Sequence, residues 1–295
     1  MMINKDNNTL IEDSILARDQ RRISSLRQFL PVNYCSHAAS FLQQHLGTVL
    51  IATGFTIKSF MRGETDGPIG AVALGQALKR IGGKPIYVSD GHNCHIIKTL
   101  TRSKDTIVDF PITNHQNSES FARKLLQDLN PSLLVSIERV GFNKDHSYFN
   151  RLGENIDSIS AKVDYLFMNH PSTIGIGDGG NEIGMGLVPL NLLEEILPIN
   201  PSITPTHSLV IAGTSNWGSY GLLAALSIQN GINLLPSSTQ ENQWLRQIVA
   251  DNDAVDSFTN GCTETVDGYK PQELSFVLDE LHSIVNGSLS TNSQI

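Results

Sequence analysis

"TVLIATGFTIKSFMRGETDGPIGAVALGQALKRIGGKPIYVSD", residues 48–90, decides the architecture of this chain. It begins with TVLIATGF (48–55), a short apolar, β-branched run that closes on Thr-Gly, the pattern of a strand buried in a parallel sheet. A helix follows: Asp66 can cap it, Pro68 stands near its first turn, small apolar residues fill its body and Gly82-Gly83 end it. KPIYVSD (84–90) then reads as a second strand. Strand, helix and strand in that order make one crossover unit of an α/β protein.

The alternation continues outward from this unit. TIVDF (106–110), SLLVSIER (132–139) and SLVIAGTS (208–215) read as strands, and DYLFM or STIGIG, around 164–177, supplies another. Helical stretches are expected at 69–81, 118–128, 154–163, 217–229, 241–250 and 271–284, with N-terminal helices within 1–46. The stretch 189–207, with four prolines, reads as an excursion between helix and strand. The expected fold is therefore α/β, a mainly parallel sheet with helices on both faces, Rossmann-like and three-layered (α/β/α). A single domain is expected over 1–285 and a disordered tail over 286–295.

Composition narrows the function classes. Of 295 residues 40% are hydrophobic and 17% charged, and no apolar run is long enough to cross a bilayer, so no membrane partner is expected. The first residues lack the pattern of a signal or transit peptide, which implies a cytoplasmic address. A net charge of −8 argues against a nucleic-acid partner, and RDQRR (18–22) reads as a solvated helix face. Cys35, Cys94 and Cys262 suggest neither disulfides nor a zinc knuckle, and His92 and His95 lack further ligands in sequence.

In open parallel sheets ligands bind beyond the carboxyl ends of the strands. The loops there would deliver Thr53, Glu64, Asp66, Asp90, Glu138, Arg139, Asp178, Asn181, Glu182, Ser215 and Asn216 to one rim. GIGDGGNEIGMG (175–186) is the densest motif among them. Gly175, Gly177 and Gly180 fit G-x-G-x-x-G, which makes a dinucleotide-dependent oxidoreductase one alternative, although the proline-broken continuation lacks a clear second strand. The preferred reading is an anion cradle made by N–H groups around Gly177, Gly179 and Gly180, with Asp178 ionised beside it and Asn181 donating. Glu182, four residues past Asp178, would share its side if the segment is helical. The blander reading has Asp178 capping a helix and the glycines permitting tight packing.

Glu64 and Asp66 flank a helix start and could hold an ammonium group or, with Asp178, a divalent cation such as Mg²⁺ or Mn²⁺. Glu138 and Arg139 either pair with each other or offer Arg139 to a substrate carboxylate. Ser215 and Asn216 suit hydrogen bonding to substrate, since G-x-S-x-G is absent. NGCTETVDG (260–268), with Glu264 and Asp267, reads as a lid or a simple turn.

The set GETDGP, IER, IGIGDGGNEIGMG, GTSNWG and TETVDG, in this order, resembles the D-glutamate cyclase family, specifically its C-terminal domain, from about residue 45 to 270. The resemblance implies reversible dehydration of D-glutamate to 5-oxo-D-proline. Set against the needs of that reaction, the rim residues suggest catalytic roles for Asp178 or Glu182 as proton shuttle and Asn181 as oxyanion donor, and substrate contacts from Thr53, Glu64, Asp66, Glu138, Arg139, Gly177, Gly179, Gly180, Ser215 and Asn216. One departure stands out: Gly141-Phe142 follows the Glu-Arg pair where the family tends to show Gly-Arg. The expected partner is a small acidic amino acid, with a homo-oligomer as the expected assembly, and the competing reading is a module that binds such a ligand without turning it over.

Overall fold

The computed structural model describes residues 6–197 and 200–292. The chain opens with α1 (Asn7–Leu16), a 3₁₀ stretch (Ile23–Phe29) and α2 (Tyr34–Gln44). β1 (Thr48–Thr53) leads into a small antiparallel hairpin, β2 (Thr56–Ile57) and β3 (Arg62–Gly63), and then α3 (Pro68–Arg80). β4 (Lys84–Ser89), α4 (Gly91–Thr101), β5 (Ile107–Asp109), α5 (His115–Leu129) and β6 (Leu133–Ile137) follow. The second half holds α6 (Asp164–Met168), β7 (Thr173–Gly177), α7 (Leu190–Ile196), β8 (Ser208–Ile211), α8 (Ser215–Asn230), α9 (Ser238–Asn252) and α10 (Pro271–Asn292).

Six strands form one parallel sheet in the order β5-β4-β1-β6-β7-β8. The chain winds outward from β1 to β5, then returns to the other side of β1 and winds outward again. That reversal places a topological switch point between β1 and β6, where the loops leaving the two strands diverge and open a crevice. Side chains alternate across the sheet as strand geometry demands. Val49, Ile51, Tyr87, Val135 and Ile176 join the larger core beneath α1, α2, α3, α4, α8, α9 and α10. Leu50, Ala52, Ile86, Val88 and Leu134 face α5 and α6 in a second core. Helices thus cover both faces of the expected three-layer α/β fold.

At the centre of the thicker layer lies α8, buried on every side from Ser215 to Ser227, as expected of an apolar helix with other helices around it. It packs against α1, α2, α3 and α10. Its N-terminus ends at the sheet's carboxyl rim, which matters for the site. Among the described residues no helix is long and apolar enough to cross a membrane.

Several local expectations differ from the structure. DYLFM is the short helix α6, and TIGIG is the strand β7. The expected helix at 154–163 is irregular apart from a 3₁₀ turn at Asp157–Ile159. Polar side chains there compete for the backbone: Asn150 Oδ1 accepts from Leu152 and Glu154 N–H, and Asn155 Oδ1 accepts from Asp157 N–H. Conversely α4 was not expected, because Gly, Asn, Cys and β-branched residues favour helix weakly. Burial of Cys94, Ile96, Ile97 and Leu100 outweighs that local preference. The tail was expected to be disordered from 286, yet α10 continues to Asn292 with Leu289 packed on the core. Residues 1–5 of the expected N-terminal helices, 198–199 of the proline-rich excursion and 293–295 of the tail lie outside the described residues.

Glu241, in the first turn of α9, is 2% exposed and its Oε2 has no hydrogen-bond partner. Burial pushes its carboxyl up to about 7. The folded state therefore holds a proton between the ordinary carboxylate range and about pH 7 that the unfolded chain has released, and stability falls as pH rises through that window. Glu241→Gln is expected to raise the melting temperature relative to wild type at pH 8 and to change it little at pH 4.5, with thermal denaturation at both pH values as the check.

Candidate active site

The switch point is occupied by carboxylates. Glu64 and Asp66 come from the segment between β3 and α3, Glu138 from the end of β6, Asp178 and Glu182 from the glycine-rich loop after β7, and Asp267 from the loop before α10. All six are at most 4% exposed. Ligand oxygens of Asp66, Asp178 and Asp267 lie within 4.8 Å of one another, as do those of Glu138, Asp178 and Glu182. Above them opens a cleft with about 500 Å³ of empty space, part of it continuous with solvent. Glu64, Glu138, Asn181 and Arg21 line it together with Lys58, Asn150 and Arg151.

Two helix starts are fastened to each other at this point. Asp66 does not cap its own helix; its Oδ1 and Oδ2 accept from the N–H groups of Asn216 and Ser215, at 2.9 and 2.7 Å, at the start of α8. In return Asn216 Oδ1 accepts from Gly67 and Gly70 N–H, at 3.1 and 2.7 Å, at the start of α3. The positive ends of two helix dipoles are thereby brought next to the buried acids and lower the cost of holding negative charge there. Ser215 Oγ donates to Glu138 Oε2 at 2.6 Å. Asn216 and Ser215 thus hold the acids' surroundings in place, where the sequence suggested contact with substrate.

The glycine loop fills its own cradle. Gly179 and Gly180 N–H donate to the two oxygens of Glu182, at 2.8 and 2.7 Å. The segment is not helical, so Glu182 folds back across the loop instead of lying one turn along from Asp178. The expected oxyanion donors are therefore satisfied within the protein. Asn181 lies at the cleft wall, its amide donating to Phe149 O at 3.0 Å. Gly177 is the last residue of β7. At Gly175 a Cβ would stand 2.7 Å from Gly184 Cα, so this glycine allows two backbone segments to touch. Within the described residues no helix follows until Leu190, so the G-x-G-x-x-G string lacks the helix start that grips a pyrophosphate.

Arg139 is spoken for. It is 1% exposed and donates to Gly54 O, Ala161 O and Asp90 Oδ2. It ties the β1, β4 and β6 loops together beneath the surface and is not among the cleft-lining residues, so the expected contact with a substrate carboxylate is not available to it.

The guanidinium at the site is Arg21, from the basic cluster read as solvated. Its Nη1 donates to Asp178 Oδ1 at 2.6 Å and its Nη2 to Asp267 Oδ1 at 2.7 Å, with the side chain 15% exposed. The ring of Phe258 lies 4.9 Å from it, and Arg151 stacks 4.6 Å from the same ring. Gly179 accommodates this arrangement, because a Cβ there would meet Arg21 Nη1 at 2.8 Å. Asp256 orders the loop that carries Asp267, accepting from Phe258 N–H, Gly268 N–H and Thr265 Oγ1. No periodicity marks Arg21 in sequence, whereas Asp267 lay in the quoted TETVDG motif.

One cation cannot neutralise six buried acids. Burial, reinforced by Asp267, pushes Glu64 up to about 8 and Asp66 to about 7. Burial raises Glu138 well above the carboxylate range, with Glu182 adding to the effect. It also raises Asp178, against the pull of Arg21. Thr53 Oγ1, Asp178 Oδ2 and Asp267 Oδ2 are buried without a partner. Glu138 has φ +46, an uncommon conformation for a side chain of this size and one found at functional sites. The arrangement can hold and move protons beside a polar cleft.

Comparison with known proteins gives three findings. A family model described as "D-glutamate cyclase-like, C-terminal" matches residues 11–282. The human mitochondrial D-glutamate cyclase is 33% identical over 231 residues, which is 72% of this chain and 36% of that protein; the chain thus spans about a third of that relative's length. A solved structure of an exopolyphosphatase-related protein from Bacteroides fragilis superposes with a TM-score of 0.43 at 12% identity, covering 85% of this chain and 56% of the other.

Removing Arg21 leaves two buried carboxylates facing each other without a cation. Arg21→Met is expected to destabilise the fold by about 3–5 kcal/mol in urea denaturation at pH 7.5, the range for breaking a buried pair from one side. Arg22→Met, at the neighbouring position, is expected to change it by less than about 0.5 kcal/mol.

Proposed function

The chain belongs to the family of D-glutamate cyclase-like C-terminal domains, and on that premise we propose that its cleft binds D-glutamate or a close amino-dicarboxylate and dehydrates it reversibly to 5-oxo-D-proline. The observation that carries this reading is the pair of buried carboxyl groups, Glu64 and Glu138, lining a cleft whose other walls bear Arg21, Arg151 and Lys58. Acids and cations in one cleft match a substrate that is itself part ammonium and part carboxylate.

The reaction makes a bond between the amine nitrogen and the γ-carboxyl carbon, breaks a C–O bond at that carbon and releases water. The nitrogen gives up two protons in all, one before it attacks and one as the amide forms, and the departing carboxylate oxygen gains two to leave as water. Two neighbouring carboxyl groups of which only one is ionised can do both, one as general base and the other as general acid. Glu64 and Glu138 take these roles, and Ser215 steadies Glu138 through its hydrogen bond. Arg151 and Lys58 hold the substrate carboxylates, since a carboxylate becomes a useful electrophile only when its charge is offset. The cleft confines amine and acyl carbon within reach of each other, which makes the ring closure effectively unimolecular.

Incubation of the purified protein with D-glutamate, and separately with 5-oxo-D-proline, is expected to approach the same mixture from both sides. Glu64→Gln and Glu138→Gln are each expected to lower kcat by about 10² or more, the usual contribution of a general acid or base, with KM changed by less than about threefold. No interconversion by wild type, with or without added Mn²⁺, overturns the reading. Saturable thermal stabilisation by D-glutamate in the absence of product identifies a binding module instead.

A further inference from the structure

Apolar side chains share the cleft with its acids and cations. Phe55 comes from the turn after β1, Ile57 from β2 and Leu152 from the loop between β6 and α6. Phe55 and Ile57 pack with Val140, Phe142, Tyr148 and Ile156 in a small core of their own, so their place is firm. Leu152 is 67% exposed, and the chain fixes it there. Asn150 Oδ1 accepts from the N–H groups of Leu152 and Glu154, each at 3.0 Å, and Asn150 Nδ2 donates to Glu154 Oε2 at 2.7 Å. Gly153 closes the turn at φ +75, its N–H donating to Asn150 O. Next to Leu152, Arg151 is held by the Ser257 carbonyl at 2.6 Å and by the Phe258 ring. An isolated exposed leucine needs no explanation. One that is pinned at a cleft together with two further apolar linings offers surface for a ligand to cover.

Space and chemistry say which ligand. The cleft's empty space of about 500 Å³, part of it continuous with solvent, lies in the range that holds drug-sized molecules, and glutamate is smaller than those. A carboxylate is also a poor electrophile, and the backbone donors suited to neutralising it, Gly179 and Gly180 N–H, are taken by Glu182. An amide at the same carbon brings no charge to neutralise. With an apolar group on its nitrogen, it would use the remaining space and cover Phe55, Ile57 and Leu152.

We infer that the cleft takes γ-amides of D-glutamate whose amide nitrogen bears an apolar substituent, and closes them to 5-oxo-D-proline with release of the amine. This rests on the reading of the cleft as a site for glutamate-like molecules and adds a substrate class to it. Nucleophile and attacked carbon are those of the dehydration. A bond forms between the α-nitrogen and the γ-carbon, and the bond from that carbon to the amide nitrogen breaks. The α-ammonium gives up two protons, and the departing nitrogen gains two to leave as an ammonium ion. Glu64 and Glu138 pass them on, so no further reactant is consumed.

The test follows 5-oxo-D-proline formed by the full chain from D-glutamate γ-benzylamide, from D-glutamate γ-methylamide and from D-glutamate itself. The two amides release amines of similar basicity and differ chiefly in apolar surface. Wild type is expected to convert the benzylamide with kcat/KM about tenfold or more above the methylamide, as for an added apolar group in a pocket. Leu152→Ser is expected to bring that ratio below about threefold, and Leu152→Met to keep it. Conversion of D-glutamate but not of the benzylamide overturns this inference and leaves the dehydration reading standing. Conversion of the benzylamide alone sustains the inference and overturns the dehydration reading, and conversion of neither overturns both. Equal ratios in wild type and Leu152→Ser, or benzylamide conversion undiminished in Glu64→Gln, also overturn the inference.

Discussion

A guanidinium held between two buried carboxylates, Asp178 and Asp267, joins parts of the chain that are far apart in sequence. Arg21 arrives from the segment between α1 and α2, Asp178 from the loop after β7, and Asp267 from the loop before α10. Other contacts draw the same segments together, among them Tyr269 OH donating to Arg18 O and Gln20 donating to Asp267 O, but only Arg21 sets a cation between the two acids. Phe258 extends the contact by lying against both Arg21 and Arg151, two of the residues that line the cleft. Arg21 cannot offset the remaining acids, and the excess negative charge defines the chemistry of the site.

The fold supplies what a single cation cannot. Parallel strands place loop after loop at one edge, and the reversal of direction between β1 and β6 opens a crevice there. Mutual capping of α3 and α8 by Asn216 and Asp66 aims two helix N-termini at the same crevice. Because α8 is buried along most of its length, it cannot retreat from the acids without disturbing the larger core. Glu138 is held at positive φ within this frame, a local strain that the surrounding packing sustains.

Much of this was legible in the linear sequence, and the parts that were not share a cause. The alternation of strands and helices and the family follow from local signals: apolar runs, glycine clusters, and short motifs in fixed order. Partners across space have no such signal. RDQRR looks like any solvated basic run, and nothing in it says that Arg21 will be drawn under Phe258 toward two acids more than 150 residues away. Arg139 at a strand end looked free to bind an anion, yet Asp90 and two carbonyls claim it. Glu182 looked like a neighbour of an anion cradle, and it is the anion in the cradle.

By itself the sequence determined the parallel α/β architecture, the edge at which polar residues gather and the family to which the chain belongs, because hydrophobic periodicity and turn residues act over a few positions. Only the tertiary structure decided which charges meet. Electrostatic pairing depends on distance and on exclusion of water, and both are set when loops from opposite ends of the chain close over the switch point.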